Sequence, residues 1–342
     1  AASSPRPAGP DSPRRARRWV EERLARVSVL LTSSHGTDPA YGGAERYVRD
    51  LAAGLAARGH EVALLAAFPQ REDPGVPSWT LHASDWRDDP MRRLRNHVGD
   101  IVSAPWPRYG EILGELEPDV LHTSNLPGIA TGIWEAARRR GVPVAHTIHD
   151  YHLLCPRTSL LRGDGSPCRP NPLLCGARTR RLLRWSGAVG QLVAGSEHLL
   201  AAHAAALGGI PARVIRLPRA PLPGGAPPPP AARPAVLGYL GALTQAKGVA
   251  MLLESLPRIT SLGFELRIAG DGPLRGEVER ANVRYEGSVD GDAKRSFLGA
   301  ADVGLVPSLW AEPSGPPYVV LEWLAAGRPV LATRHGGLAE AA

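Results

Sequence analysis

Lysine is nearly missing from this chain. Of its 342 residues and 40 basic side chains, only Lys247 and Lys294 are lysine, and the rest of the basic set is arginine. Methionine is as scarce, at Met91 and Met251, and aromatic residues make up 5%. No stretch reaches the roughly 18 consecutive apolar residues of a membrane span. The opening Ala-Ala-Ser-Ser-Pro-Arg-Pro is followed by no apolar signal core, so the sequence predicts a cytoplasmic protein and not a secreted one. An opening without methionine predicts a fragment. The low aromatic content, with no recognisable RNA or DNA module, argues against nucleic acid as a partner.

What is abundant needs reading with care. The formal net charge is +7, and arginine, alanine, glycine and proline are enriched together. That combination reads as a GC-rich coding bias more than as a polyanion site. A positive balance still concentrates anionic partners, among them nucleotide-sugars and acidic lipid surfaces. A hydrophobic content of 43% over this length is enough for two cored domains.

Punctuation divides the chain. Residues 1–25 read as a basic extension, disordered or helical, and 218–234 as a Pro/Gly-rich linker. Between and beyond lie two series of short apolar strands alternating with helical stretches, over 26–217 and 235–342. The first series has strands at 27–31, 61–65, 119–122, 142–148 and 190–194. The second has strands at 235–240, 264–269, 283–285, 303–306 and 330–332, with helices at 248–261, 274–280, 292–300 and 318–326. Strands alternating with helices imply parallel sheets. The expected fold class is α/β, two Rossmann-like domains facing a cleft, the second incomplete at its C-terminal end.

In open parallel sheets ligands sit beyond the carboxyl ends of strands, and those loops carry the candidate chemistry. Gly42 and Gly43 follow the first strand and lead into a helix. His149 ends the strand that closes at Ile148. Gly241 follows the first strand of the second series, and Lys247 stands where that loop enters a helix, so ammonium and helix dipole converge as for a diphosphate. Farther on, Glu312 and Glu322 bracket a Ser314-Gly315-Pro316-Pro317 turn at the start of an apolar helix. Carboxylates there accept hydrogen bonds from a polyol, and the helix amides favour a phosphate. Bland readings stand beside these: Glu322 on a solvated face, Glu45 as a helix-start charge, Gly270 and Gly272 as turn formers, Asp290 and Asp292 as a cap rather than a metal motif.

Taken in order, the Gly42-Gly43 loop, His149-Asp150, Lys247-Gly248, Gly270-Asp-Gly-Pro273 and the Glu312…Glu322 helix resemble the retaining glycosyltransferases of family 4. The branch is the one with a His-Asp-Tyr-x-x-x-Cys-Pro-Arg segment, here His149 to Arg157. The resemblance spans about Val27 to Glu340. It implies a GT-B fold and transfer of a hexose from a nucleotide-sugar to a glycan or lipid-linked acceptor with retention of configuration. Glu312 and His149 would be the catalytic residues. Lys247, Glu322, Ser314, Gly315, Gly241, Gly42 and Gly43 would hold the donor, and no metal or other cofactor is implied. A non-catalytic scaffold binding a nucleotide-sugar or protein partner, or a nucleotide-sugar epimerase, is the alternative.

The chain departs from the family pattern in three places. Nine residues, not the usual seven, separate the glutamates, so either a two-residue bulge keeps Glu312 in place or Ser314 fills its slot. The bulge is favoured, because Pro313, Gly315, Pro316 and Pro317 supply turn chemistry. Ala242 stands where the family has a second diphosphate-binding arginine. Cys155, Cys168 and Cys175 match no zinc-finger spacing, and the closing cysteine of related segments is absent; reduced thiols are expected over a structural metal. Finally, the stretch from Arg178 to Ser186 mixes arginines with Leu182, Leu183 and Trp185. It reads as a helix packing its apolar face inward, with peripheral contact at the inner face of the membrane as the alternative.

Overall fold

The computed structural model describes residues 26–38, 41–70, 73–85, 91, 98–162, 165–169, 171–217 and 235–340. The expected basic extension and linker lie outside the described residues. The chain forms two compact units, one from residues up to 147 together with 184–191, the other from 148–183 together with 192 onward.

The first sheet contains β1 (Ser28–Ser33), β2 (Glu61–Ala66), β3 (Ser78–Thr80), β4 (Val120–Thr123), β5 (Val144–Ile148), β6 (Val189–Ala194) and β7 (Ala212–Val214). Their order is β3-β2-β1-β4-β5-β6-β7. Pairing is parallel, with Val29 opposite both Val62 and Val120. The central strands are apolar without alternation, as strands covered on both faces must be; in β1 all residues after Ser28 are buried. Helix α1 (Gly43–Ala56) buries Val48 and Ala52, one turn apart, against Val29, Leu31, Val62 and Leu64. Helices α2 (Pro107–Leu116), α3 (Gly132–Arg139), α4 (Leu174–Leu182) and α5 (Glu197–Leu207) follow in the intervals.

The second sheet contains β8 (Val236–Leu240), β9 (Glu265–Ala269), β10 (Arg284–Tyr285), β11 (Val303–Val306) and β12 (Val330–Ala332), in the order β10-β9-β8-β11-β12. It too is parallel, with Tyr239 paired to Ile268 and to Leu305. The crossovers are α6 (Val249–Glu254), α7 (Leu256–Ser261), α8 (Arg275–Arg280), α9 (Gly291–Ala300) and α10 (Tyr318–Ala325). Trp323 of α10 is fully buried beside Phe297 of α9 and lies flat on the sheet, where a side chain at Gly238 would come within 2.6 Å of its ring. Burying a ring of that size dominates local packing energy and fixes the rotation of α10.

The α/β class with two Rossmann-like parts is as the sequence predicts. Two details differ. The single helix expected over 248–261 breaks at Ser255, because Pro257 lacks an N–H and is tolerated only in the first turn of a new helix. The edge strands β3 and β7 are three residues each, too short to show a periodic pattern.

Candidate functional site

Each sheet has one place where the strand order reverses direction. In the first it lies between β1 and β4, and in the second between β8 and β11. Crossovers leave to opposite sides there, opening a crevice beyond the carboxyl ends of the two strands.

In the second unit, the loop after β8 carries Lys247 and the loop after β11 carries Glu312. Their side chains meet at 2.6 Å across 65 residues of sequence. Glu312 is 4% exposed and Lys247 31%. The Lys247 ammonium also lies over the Trp310 ring, 4.8 Å from its centroid, a cation–π contact of about 0.5–1 kcal/mol. Gly248 lets this loop close: it adopts the left-handed conformation, and a side chain there would collide with the Pro307 carbonyl. Gly270 does the same against the Gly241 carbonyl, so this glycine serves loop packing as read from the sequence.

The backbone of Glu312 is held from several sides. Its carbonyl accepts from the Gly337 amide at 2.6 Å. The preceding Ala311 carbonyl accepts from the Tyr151 hydroxyl at 2.9 Å, and His198 Nε2 lies 3.2 Å from the same hydroxyl. Burial, with the charges of Glu312 and Asp150, pushes the Tyr151 hydroxyl far above its usual range of ionisation. The Pro313 carbonyl accepts from Ser196, whose oxygen also caps α5 through the Leu199 amide. The Glu340 carboxylate accepts from the Glu197 and His198 amides at that same helix start.

The remaining expected residues fall as follows. Glu322, in the second turn of α10, pairs with Lys294 of α9 at 2.7 Å, so it is not a solvated-face charge. Ser314 lies against Gly195, where a side chain on the glycine would come within 3.1 Å of the Ser314 Oγ. The Gly315 amide donates to the Gly195 carbonyl at 3.1 Å. An anion using that amide has to replace this bond. His149 directly follows β5 and is half-buried. Asp290 caps α9 by accepting from the Gly291 amide, and Asp292 pairs with Arg295. The three thiols are free, and among the described residues no three His, Cys, Asp or Glu side chains converge as metal ligands.

In the first unit, Gly42 precedes α1 and Gly43 opens it. Glu45, expected as a helix-start charge, does stand in the first turn of α1, and it is 3% exposed. It accepts from Asn125, just after β4, at 3.1 Å, and lies 3.8 Å from His35 Nδ1. The other ring nitrogen of His35 is 3.2 Å from Asp85, and the ring stacks on Tyr41. Burial opposes ionisation of Glu45, but the neighbouring His35 ring and hydrogen bonds from its own backbone and Asn125 hold its carboxyl below the ordinary 4.5. Also in this unit, Leu182's neighbour in the basic stretch, Trp185, donates to the Ser103 carbonyl. Leu182 and Leu183 are buried, so the apolar side of that stretch faces protein.

Sequence reasoning missed Tyr151, His198, Trp310 and Lys294 around the second unit's site. Tyr151 stood within the His149 to Arg157 segment but carried no assigned role, and Trp310 lies two residues before Glu312. His198 and Lys294 sit on helix first turns with no local signal at all.

Two α/β units of parallel sheet are the architecture of the GT-B fold. The chain belongs to glycosyltransferase family 4: that family's model matches residues 41–220. The model for glycosyl transferases group 1 matches residues 234–342. A 42.6 kDa protein in the cps region of Klebsiella pneumoniae is 26% identical over 92% of this chain and 87% of its own length. The glycogen synthase of Thermus thermophilus is 35% identical, over only 31% of this chain and 25% of its own. Among solved structures, Anabaena HepE in complex with UDP and glucose superposes with a TM-score of 0.62 at 17% identity, covering 92% of this chain and 82% of that one. The lipopolysaccharide outer core galactosyltransferase WaaB superposes at 0.60 with 16% identity, over 91% and 81%. Among the described residues no helix is long and apolar enough to cross a membrane.

Proposed function

We propose that this glycosyltransferase moves a hexose from a nucleoside diphosphate sugar to a glycan or lipid-linked acceptor, with retention of configuration at the anomeric carbon. The observation that carries the reading is the Lys247–Glu312 pair at the β8/β11 switch point. Lys247 would meet the diphosphate and stabilise the charge that grows on it as the glycosidic bond breaks. Glu312 would exchange its lysine contact for the hexose hydroxyls, and Glu322 would accept from the ribose. Gly241 and Gly315 would bring backbone close to the donor. Gly42, Gly43 and His149 would serve the phosphate and acceptor side. The bond from C1 to the phosphate oxygen breaks and a bond from C1 to the acceptor oxygen forms on the same face. The acceptor proton passes to the departing diphosphate oxygen, so no side-chain base is needed. Because a lysine takes the leaving-group charge, transfer should continue in excess EDTA.

Placement of Glu312 beside Lys247, with Ser314 turned against Gly195, supports the bulged register of the glutamate motif. HepE was crystallised with UDP and glucose, which makes UDP-glucose the first donor to try. The test is turnover against UDP-, GDP- and ADP-sugars, with the anomeric configuration of the product read by NMR. Inversion of configuration, or binding with neither transfer nor hydrolysis, would overturn the proposal. His149→Ala should lower kcat more than donor affinity.

A further inference from the structure

Among the described residues the Lys247 ammonium meets two side chains, the Glu312 carboxylate at 2.6 Å and the Trp310 ring, whose centroid is 4.8 Å away. In the proposed reaction Glu312 gives up its lysine contact to the hexose hydroxyls, which leaves the ammonium with the ring. We propose that Trp310 is a positioning residue, whose indole face keeps the Lys247 ammonium at the diphosphate once Glu312 has turned to the hexose. The proposal rests on the readings of Lys247 as the diphosphate contact and Glu312 as the hexose contact.

Backbone fixes the ring against the lysine. The Leu309 and Trp310 amides both donate to the Ala246 carbonyl at 2.9 Å, and the Ser308 hydroxyl donates to the same oxygen at 3.2 Å. Ala246 immediately precedes Lys247, so ring and ammonium extend from two loops tied together at one point. Lysine is a point charge on a flexible four-carbon stem, and ordering such a stem during binding costs affinity unless a contact orders it beforehand. Tryptophan offers a cation the most favourable face of any aromatic side chain. Its N–H does nothing comparable here: among the described residues the buried Trp310 indole nitrogen has no acceptor. Buried polar groups are normally paired, so the N–H is a cost, and what the indole offers this site is its face. In the unliganded protein the carboxylate holds the ammonium with or without the ring. The ring matters most when the carboxylate has left.

The experiment measures binding of UDP, GDP and ADP by calorimetry and carries forward whichever binds tightest. Mono-, di- and trifluorotryptophan placed at position 310 withdraw electron density from the ring face with little change of shape. Diphosphate affinity is expected to fall further with each fluorine. Trp310→Leu should lower it by about two- to fivefold, the value of the cation–π contact at tenfold per 1.4 kcal/mol, and Trp310→Phe should lie between wild type and Trp310→Leu. Trp310→Leu should cost more in a Glu312→Gln background, where the ring is the main holder left, and nothing in a Lys247→Met background. If Trp310→Leu fails to fold, the fluorinated series and Trp310→Phe carry the same test. Affinity indifferent to fluorination overturns the role of Trp310, as does an equal cost of Trp310→Leu with and without Lys247, which would place the indole against the donor itself. Strictly additive costs of Trp310→Leu and Glu312→Gln overturn it as well. In each of these cases a diphosphate weakened by Lys247→Met leaves the donor-site reading standing. Undiminished diphosphate affinity in Lys247→Met overturns that reading and the proposal with it.

Discussion

Each unit places a carboxylate at its switch point, and the two are held in different ways. Glu45, between β1 and β4, is enclosed by Asn125, His35 and its own backbone, and His35 in turn reaches Asp85. Histidine can bridge two carboxylates because it has two ring nitrogens, so this cluster ties three loops together. Glu312, between β8 and β11, is equally buried, but among the described residues its carboxylate meets a single side chain, Lys247, and that lysine is a third exposed. One cluster saturates its carboxylate with protein partners. The other leaves acceptor sites and a reachable cation. Saturation suits a brace, and incomplete satisfaction suits a ligand site, where polar groups wait for the substrate to complete them.

The sharpest way to break this comparison is to exchange the consequences. Lys247→Met should cut kcat/KM by about a hundred- to a thousandfold, the range for removing one preorganised stabiliser of developing charge. Glu312→Gln should do the same while Ser314→Ala is tolerated. Sugar transfer assays with matched melting curves check both. A Lys247 variant that melts early and turns over normally would make the pair structural. Loss of transfer in Ser314→Ala but not Glu312→Gln would move the hexose contact to Ser314.

The reverse pattern is expected in the first unit. Glu45→Ala leaves the Asn125 amide without its acceptor and removes the carboxylate beside His35, at a cost of about 1–3 kcal/mol, read as a midpoint lower by several degrees. Per folded molecule, kcat should change little. The sign of the pH effect follows from the depressed carboxyl: its stabilisation is complete above the ordinary 4.5 and is lost as pH falls through the folded value. Glu45→Gln should therefore flatten the acid limb of a stability profile. An unchanged limb would remove Glu45 from the brace.

The sequence made the second site more legible than the first for a physical reason. Lys247, Glu312 and Glu322 sit in loops whose glycines and prolines mark them off, and the strands before them are continuous apolar runs. Strand order then makes β8 and β11 neighbours, so residues 65 apart meet. Glu45 carried the same topological promise but looked like an ordinary first-turn acid, because its partners His35 and Asn125, and the Asp85 that His35 reaches, lie on three separate loops with no shared spacing. The Lys294–Glu322 pair was hidden likewise: it depends on how α9 and α10 pack around Trp323, which no local pattern encodes. The short edge strands β3 and β7 escaped because three residues cannot show a period.

A smaller effect refines the comparison within the first sheet. His122 of β4 hydrogen-bonds the Thr147 hydroxyl at 2.7 Å, and Thr147 lies 3.3 Å from the Tyr47 hydroxyl of α1. Burial pushes the His122 imidazole down from 6.5 to about 4. A lowered folded value means that the unfolded chain takes up the proton first. Stability is therefore complete above about pH 6.5 and declines as pH falls toward 4, where the folded imidazole also protonates. This limb lies above the one assigned to Glu45, so the two separate on the pH axis. His122→Gln keeps a polar group for Thr147 but cannot titrate. It should remove the decline between pH 6.5 and 4 while leaving the loss below 4.5 in place. Urea melts of wild type, His122→Gln and Glu45→Gln at half-unit steps would resolve both. A decline that survives His122→Gln would assign the upper limb to another group and leave β4 and β5 with a hydrogen bond indifferent to pH.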